Sequence, residues 1–328
     1  MTMSKFKAIT FLLAAMALAS CSSIGKAPTP SMSSTSHSPP VLAQQSLGDK
    51  VVADLNRRYM NIGVNCGSDS KPAFLCNGVL IRGTRSGNYH VWNNTPISHY
   101  KGGVSFSYLR QDVIFSRLAY NYSNGYIFKP ILRGDRPRDP SLNYDPDILC
   151  SFAVDGWTDS RAGTGCGAYP NLAKSDLCRI EGITDAAEWH AAYGAIPLAQ
   201  LGGRQCGFDV DDSRNDEATV AFANSLLARV NLGPGGYQMH NEMILGVWPE
   251  NTGRILPLEA FFYIEGSAPG LAAAKLNQTD LKVTDNVVIP IIKVKLPTAP
   301  TRPVWTINAP ATFEYVVADQ AEPVPVVP

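Results

Sequence analysis

The sequence predicts a mixed α+β protein: a core sheet of short strands, short flanking helices, disulfide-stapled loops and a proline-rich C-terminal extension. Three observations carry this. Apolar runs are brief and end in turn residues, as strands do. Proline (24) and glycine (27) are abundant, which works against long helices. Seven cysteines stand in a chain whose first residues have the pattern of an export leader, and disulfides form in exported proteins. With 328 residues, 45% hydrophobic and 17% charged, the chain can bury one large core or two smaller ones. Lys plus Arg equals Asp plus Glu, 28 each, so no basic excess points to nucleic acid as a partner.

Lys5 and Lys7 form a basic start, and residues 8–19 are apolar. That stretch is too short for a permanent membrane helix, which needs about 20 apolar residues. It ends in Leu18-Ala19-Ser20-Cys21, the order of a bacterial lipobox, with Cys21 as the lipid-attachment residue. An ordinary secretory signal with an incidental cysteine is the other reading. Ser22 rather than Asp after the cysteine fits outer-membrane sorting, so the expected location is the outer membrane or the medium. Residues 1–20 are then the signal peptide, and the membrane partner is reached through lipid. Residues 21–45 are rich in Ser and Pro and lack apolar periodicity, as in a disordered tether. Six cysteines remain: Cys66, Cys76, Cys150, Cys166, Cys178 and Cys206. An even remainder reads as a disulfide set with fifteen possible pairings, among which Cys66 and Cys76 are near enough to staple one loop. No metal site is expected, because no Cys-x-x-Cys or finger spacing is present.

Ser46 to Asn61 predicts a helix, with Ser46 as N-cap and Val51, Val52, Leu55 and Tyr59 on one stripe. Strand-like runs follow at 78–84, 103–109, 125–132 and 148–154. Residues 155–182 read as a stapled loop. Thr184 can cap a short helix to Tyr193, and Ser213 with Asp216 can open another carrying Val220, Phe222, Leu226 and Leu227. Strands return at 241–248 and 260–266. Beyond 267, prolines interrupt repeatedly, although 286–296 alternates like a strand. The expected division is a core domain over 46–266 and an extension over 267–328 that adds edge strands.

Several motifs are missing. No Gly-x-Ser-x-Gly elbow, Walker loop or His-Glu-x-x-His occurs. Asp209-Val210-Asp211-Asp212-Ser213 lacks the sixth-position glycine of a calcium loop.

Three segments carry unusual polar residues. Val79-Leu80-Ile81-Arg82-Gly83 is an apolar strand ending in Arg. Gly103-Val104-Ser105-Phe106-Ser107-Tyr108 puts two serines on one strand face and two aromatics on the other. His240-Asn241-Glu242-Met243-Ile244 opens a strand with a carboxylate. Each alone reads first as edge-strand polarity and ordinary hydrogen bonding; together they suggest a polar pocket in an apolar sheet.

In that order the segments resemble the Arg-Ser-Glu class of ADP-ribosyltransferases, which includes the cholera-type toxins. More closely, the stretch from Asn65-Cys66-Gly67-Ser68 to Ala260-Phe261-Phe262-Tyr263 resembles the halovibrin family, secreted NAD glycohydrolases regarded as ADP-ribosyltransferases. The resemblance spans roughly residues 46–266. It implies an ADP-ribosyltransferase-like split sheet and NAD+ as substrate, without a metal. Glu242 would stabilise the ribosyl cation, Arg82 grip the phosphates and Ser105 orient Glu242. Ser107, His240 and Gly83 would line the substrate site.

Two departures stand out. Arginine-modifying members carry a carboxylate where this chain has His240, so water is favoured over a protein acceptor, which stays unidentified. The interval from Arg82 to Ser105 is also short for the class. The alternative function is a non-catalytic surface lipoprotein that binds a sugar or protein.

Overall fold

A computed structural model of the protein describes residues 41–67, 69–84, 104–128, 147–156, 177–210, 215–246, 258–298, 300–301, 306–307 and 310–316. Cys21, the signal and most of the tether lie outside these residues, as does Cys166.

Helix α1 (Val41–Met60) begins five residues before the expected start at Ser46. Val-Leu-Ala-Gln-Gln are fair helix formers, so the tether composition gave way there to helix propensity. Its Val51, Leu55 and Tyr59 are buried, as the stripe predicts. A small hairpin, β1 (Asn65–Cys66) and β2 (Asp69–Pro72), follows and is tied off by the Cys66–Cys76 disulfide.

The centre is a nine-stranded mixed sheet. In chain order its strands are β3 (Val79–Gly83), β4 (Val104–Leu109), β5 (Asn124–Phe128), β6 (Asp147–Phe152), β7 (Phe208–Asp209), β8 (Glu242–Gly246), β9 (Leu258–Ile264), β10 (Ile291–Lys295) and β13 (Thr312–Tyr315). Across the sheet they run β13-β10-β9-β5-β3-β4-β8-β6-β7. Every pairing is antiparallel except β9 with β10. A further pair, β11 (Pro300–Thr301) and β12 (Thr306–Ile307), stands outside it.

Alternation along the strands sorts side chains to two faces. Leu80, Phe106, Tyr108, Tyr126, Phe128, Met243 and Phe261 form one core layer with Phe222 and Leu226. Phe222 meets the rings of Phe74 and Tyr108 edge-on, at 5.1 and 5.2 Å between centroids. Val79, Ile81, Leu109, Ile127 and Phe262 form the other layer with the α1 stripe.

The remaining helices are α2 (Ala186–Tyr193), α3 (Leu198–Leu201), α4 (Asn215–Asn231), α5 (Gly233–Gly236) and α6 (Ala268–Asp285). Asp185 caps α2 by accepting from the Ala187 and Glu188 amides, while Thr184, the expected cap, bonds Glu188 instead. Helix α4 supplies Phe222 and Leu226 to the core as expected; residues 211–214, its expected cap region, lie outside the described residues.

The region beyond 267 is part of this body, since the chain from Pro39 onward is a single compact unit. It does supply edge strands, yet it also holds α6, which the prolines hid. Ser267 caps α6 by accepting from Gly270, and Pro269 lies in its first turn, where proline is tolerated. Helix α6 crosses between the parallel strands β9 and β10, a connection that parallel neighbours require. Ile292, Val294 and Phe313 then complete the α1 side of the core.

A second disulfide, Cys178–Cys206, closes a 28-residue separation beside the Leu177–Gly207 bridge. Cys150 is disulfide-bonded as well. Disulfides agree with an oxidising environment. Replacing Cys178 and Cys206 together with alanine is expected to cost about 3–4 kcal/mol by loop-closure entropy, read as a lower midpoint in chemical denaturation. Among the described residues no helix is long and apolar enough to cross a membrane.

Strand β4 changes partner halfway along. Its residues 107–109 pair with β3, and its residues 104–106 pair with β8. The two neighbours therefore part company at Phe106 and Ser107, and the sheet forks there.

Candidate active site

The fork leaves backbone groups of β4 without strand partners, and side chains satisfy them. Where β3 departs, the Arg82 guanidinium donates to the Ser105 carbonyl. Where β8 departs, the Asn241 side chain acts as a peptide. Its oxygen accepts from the Tyr108 amide at 2.8 Å, and its nitrogen donates to the Tyr108 carbonyl at 2.9 Å. Arg82 and Asn241 thus hold the two prongs at fixed spacing.

A cleft of about 880 Å³ opens at this point, within the range that holds small-molecule ligands. Arg82, Gly83 and Ser105 line it from β3 and β4; His240 and Glu242 line it from the start of β8. The structure therefore brings five of the six expected catalytic and substrate-site residues to one wall. The sixth, Ser107, is 5% exposed and sits behind that wall, 3.0 Å from His240 Nδ1.

Glu242 is buried at 2% exposure, and its Oε2 accepts from the Gly156 amide at 2.7 Å. Gly156 has to be glycine: a Cβ there would stand 2.8 Å from Glu242 Oε2 and 2.9 Å from Phe152 Cγ. A charge-assisted bond from a fixed backbone donor aims the carboxylate. Gly83 also lacks room for a side chain, since a Cβ would come within 2.7 Å of Tyr122 Cβ.

The His240 ring is oriented by its partners. Nδ1 lies 2.8 Å from the Asn241 carbonyl oxygen. Ser107 Oγ lies 3.0 Å from the same nitrogen, and the direction of both contacts follows the ring's tautomer. On the far side, Nε2 lies 3.4 Å from Asp155 Oδ2. Asp155 also lines the cleft.

Arg82 Nε is buried, and among the described residues it has no hydrogen-bond partner. A planar fork with donors to spare suits phosphate or carboxylate oxygens. Burial pushes the Tyr126 phenol upward, and the nearby Arg82 charge opposes that shift. The cleft is also lined by Arg117, whose Nε donates to the Gln238 carbonyl at 3.0 Å, and by the Tyr120–Tyr122 pair with ring centroids 5.5 Å apart. Tyr120 is 75% exposed, and both it and Asn121 have positive φ, 51° and 55°. Two successive non-glycine residues in the left-handed region store strain of order 1–3 kcal/mol each, and such strain gathers at functional sites. The cleft lining thus combines two arginines and two tyrosines with a buried carboxylate.

Beneath the cleft, Arg229 of α4 is buried and bonds the carbonyls of Ile114 (2.8 Å), Ala153 (3.4 Å) and Met239. Burial pushes its guanidinium down to about 9, so it stays protonated at neutral pH. The Gln205 amide nitrogen donates to the Val154 carbonyl at 3.0 Å. These groups tie the 153–156 segment and the approach to His240 against α4 and the Cys178–Cys206 disulfide.

Sequence reasoning missed Asp155, Gly156, Arg117 and the tyrosine pair. Asp155-Gly156 opens the segment read as a stapled loop, and nothing in it pointed at Glu242. Among the described residues no group of three or more metal-binding His, Cys, Asp or Glu side chains occurs. No family model matches this chain, and no curated protein matches it either.

Proposed function

We propose that this chain cleaves the bond between nicotinamide and ribose in NAD+, with water as the acceptor and transfer to a protein as the extension of the same chemistry. One observation carries the reading: Arg82, Ser105 and Glu242, drawn from three strands, reach a single cleft at the fork of the sheet. That fork is also what supports assigning the body to the ADP-ribosyltransferase-like split-sheet architecture.

The chemistry asks little of an acid. Nicotinamide leaves a cationic ring as a neutral base, and the ribose carbon gains oxocarbenium character, as in glycoside cleavage. Glu242 supplies a fixed negative charge beneath that carbon, held by the Gly156 amide and shielded from water by burial. Arg82 holds the diphosphate, and Arg117 lies where it can add a second cation. Ser105 keeps the hydroxyl side of the ribose in register with Glu242.

We place the protein outside the cytoplasm, anchored through Cys21 or released. The disulfides agree with that compartment. The test is direct: purified protein incubated with NAD+ should release nicotinamide and ADP-ribose in equal amounts. Absence of release above the buffer rate would reject the enzyme and favour a binding lipoprotein.

A further inference from the structure

Ile114, Ala153 and Met239 belong to three separate stretches of chain that lead to the cleft, and all three lie outside any strand or helix. Sheet bonds therefore do not fix their carbonyls, yet one side chain takes all of them. Arg229, 4% exposed in the last turn of α4, donates Nη2 to the Ile114 carbonyl at 2.8 Å and to the Met239 carbonyl, and Nη1 to the Ala153 carbonyl at 3.4 Å. Each carbonyl stands close in sequence to a group at the site. Ile114 precedes Phe115, whose ring packs edge-on against His240 at 6.3 Å. Ala153 stands three residues before Gly156, whose amide donates to Glu242. Met239 stands three residues before Glu242 itself. The carboxylate and the donor that aims it thus approach from opposite sides of one guanidinium. Backbone bonds lace the same stretches: the Asp155 amide donates to the His240 carbonyl at 2.7 Å, and the Ser116 amide to the Tyr237 carbonyl at 3.0 Å. Gln205, 1% exposed, adds a second side-chain hold by donating to the Val154 carbonyl at 3.0 Å.

We propose that Arg229 is a positioning residue for the Glu242 carboxylate, with Gln205 as its partner on the 153–156 segment. The catalytic consequence rests on the NAD-cleaving reading; the placement of the carboxylate does not. A buried cation is costly, and an apolar side chain of similar length would fill the same space without that cost. What an apolar side chain lacks is a means of holding three carbonyls in one fixed relation. Arginine has it, because its donors point in several directions from one rigid plane, whereas a lysine ammonium is a compact point. Bonds from a cation to a carbonyl are also stronger than neutral ones. Arg229 does not line the cleft, so it acts on the reaction only through the groups it holds.

Arg229→Lys keeps the charge and loses the fork. The full protein carrying it should release nicotinamide about 30-fold more slowly at a temperature below its melt. Placed on top of Gly156→Ala, the same substitution should cost less than about twofold more, since both act through one contact. A second readout needs no turnover. In protein carrying isotope-labelled glycine, the Gly156 amide should exchange with solvent about tenfold faster in Arg229→Lys. The Gly78 amide, which donates to the Arg58 carbonyl of α1 at 2.7 Å, should keep its wild-type rate. A residue that only stabilised the fold would speed both glycines alike and leave the rate of the folded protein unchanged. Gln205→Leu is the second variant, which removes the Val154 bond alone and should speed exchange at Gly156 in the same way. Wild-type exchange at Gly156 in the folded variants overturns the proposal, as does a loss of rate that multiplies in full with that of Gly156→Ala. Both of those results leave the NAD reading standing. A wild type that releases no nicotinamide removes that reading, and the exchange rates still decide the placement.

Discussion

Replacing Glu242 with glutamine should lower nicotinamide release by about a thousandfold or more while leaving the fold intact. The substitution keeps shape and hydrogen-bonding capacity, so the Gly156 amide still finds an oxygen to donate to. What disappears is a full negative charge in a site 2% exposed to solvent, where charges act over a low dielectric. A residue used only for packing or strand solubility would tolerate the change. The measurement is single-turnover nicotinamide release, paired with a thermal melt. Retention of turnover within tenfold of wild type, at an unchanged melting temperature, would remove Glu242 from the chemistry.

Gly156→Ala should be nearly as damaging, although residue 156 carries no reactive group. The added carbon would meet Glu242 Oε2 at 2.8 Å and Phe152 Cγ at 2.9 Å. Phe152 is fully buried and has nowhere to go, so the carboxylate must give way. A misplacement of about 1 Å in a reacting group costs on the order of 100-fold in rate. Overpacking should also cost about 1–3 kcal/mol of stability. The signature is a fall in kcat with KM little changed, since the Arg82 side of the cleft is untouched. An alanine variant with wild-type kcat would mean that the carboxylate is not held by this amide during turnover.

The strands and the clustering of polar residues were legible because they rest on local signals. Period-two alternation put Phe106 and Tyr108 in one core layer and Ser105 at the cleft, while Ser107 on the same face as Ser105 is buried against His240. The Arg82, Ser105 and Glu242 segments could be singled out because charge in an apolar strand is conspicuous. What stayed hidden depends on partners far away in the chain. The Asp155–His240 contact spans 85 residues, and nothing at either position signals the other. Helix α6 was obscured by a local conflict: Pro269 and Gly270 look like breakers, but in the first turn of a helix capped by Ser267 neither breaks anything. The expected cap at Thr184 missed by one residue, because Asp185 offers the better acceptor to the same amides.

The hydroxyl of Tyr59 accepts a hydrogen bond from the amide of Ala311, 252 residues later. That seam means α1 has no complete bed to lie in until β10 and β13 exist. A polypeptide emerging from the ribosome in order must therefore wait for its late segments before this half of the interior can close, and such long-range closure is slow. Until then the apolar stripe of α1 has only part of its final cover, so the two ends of the chain must close this layer together.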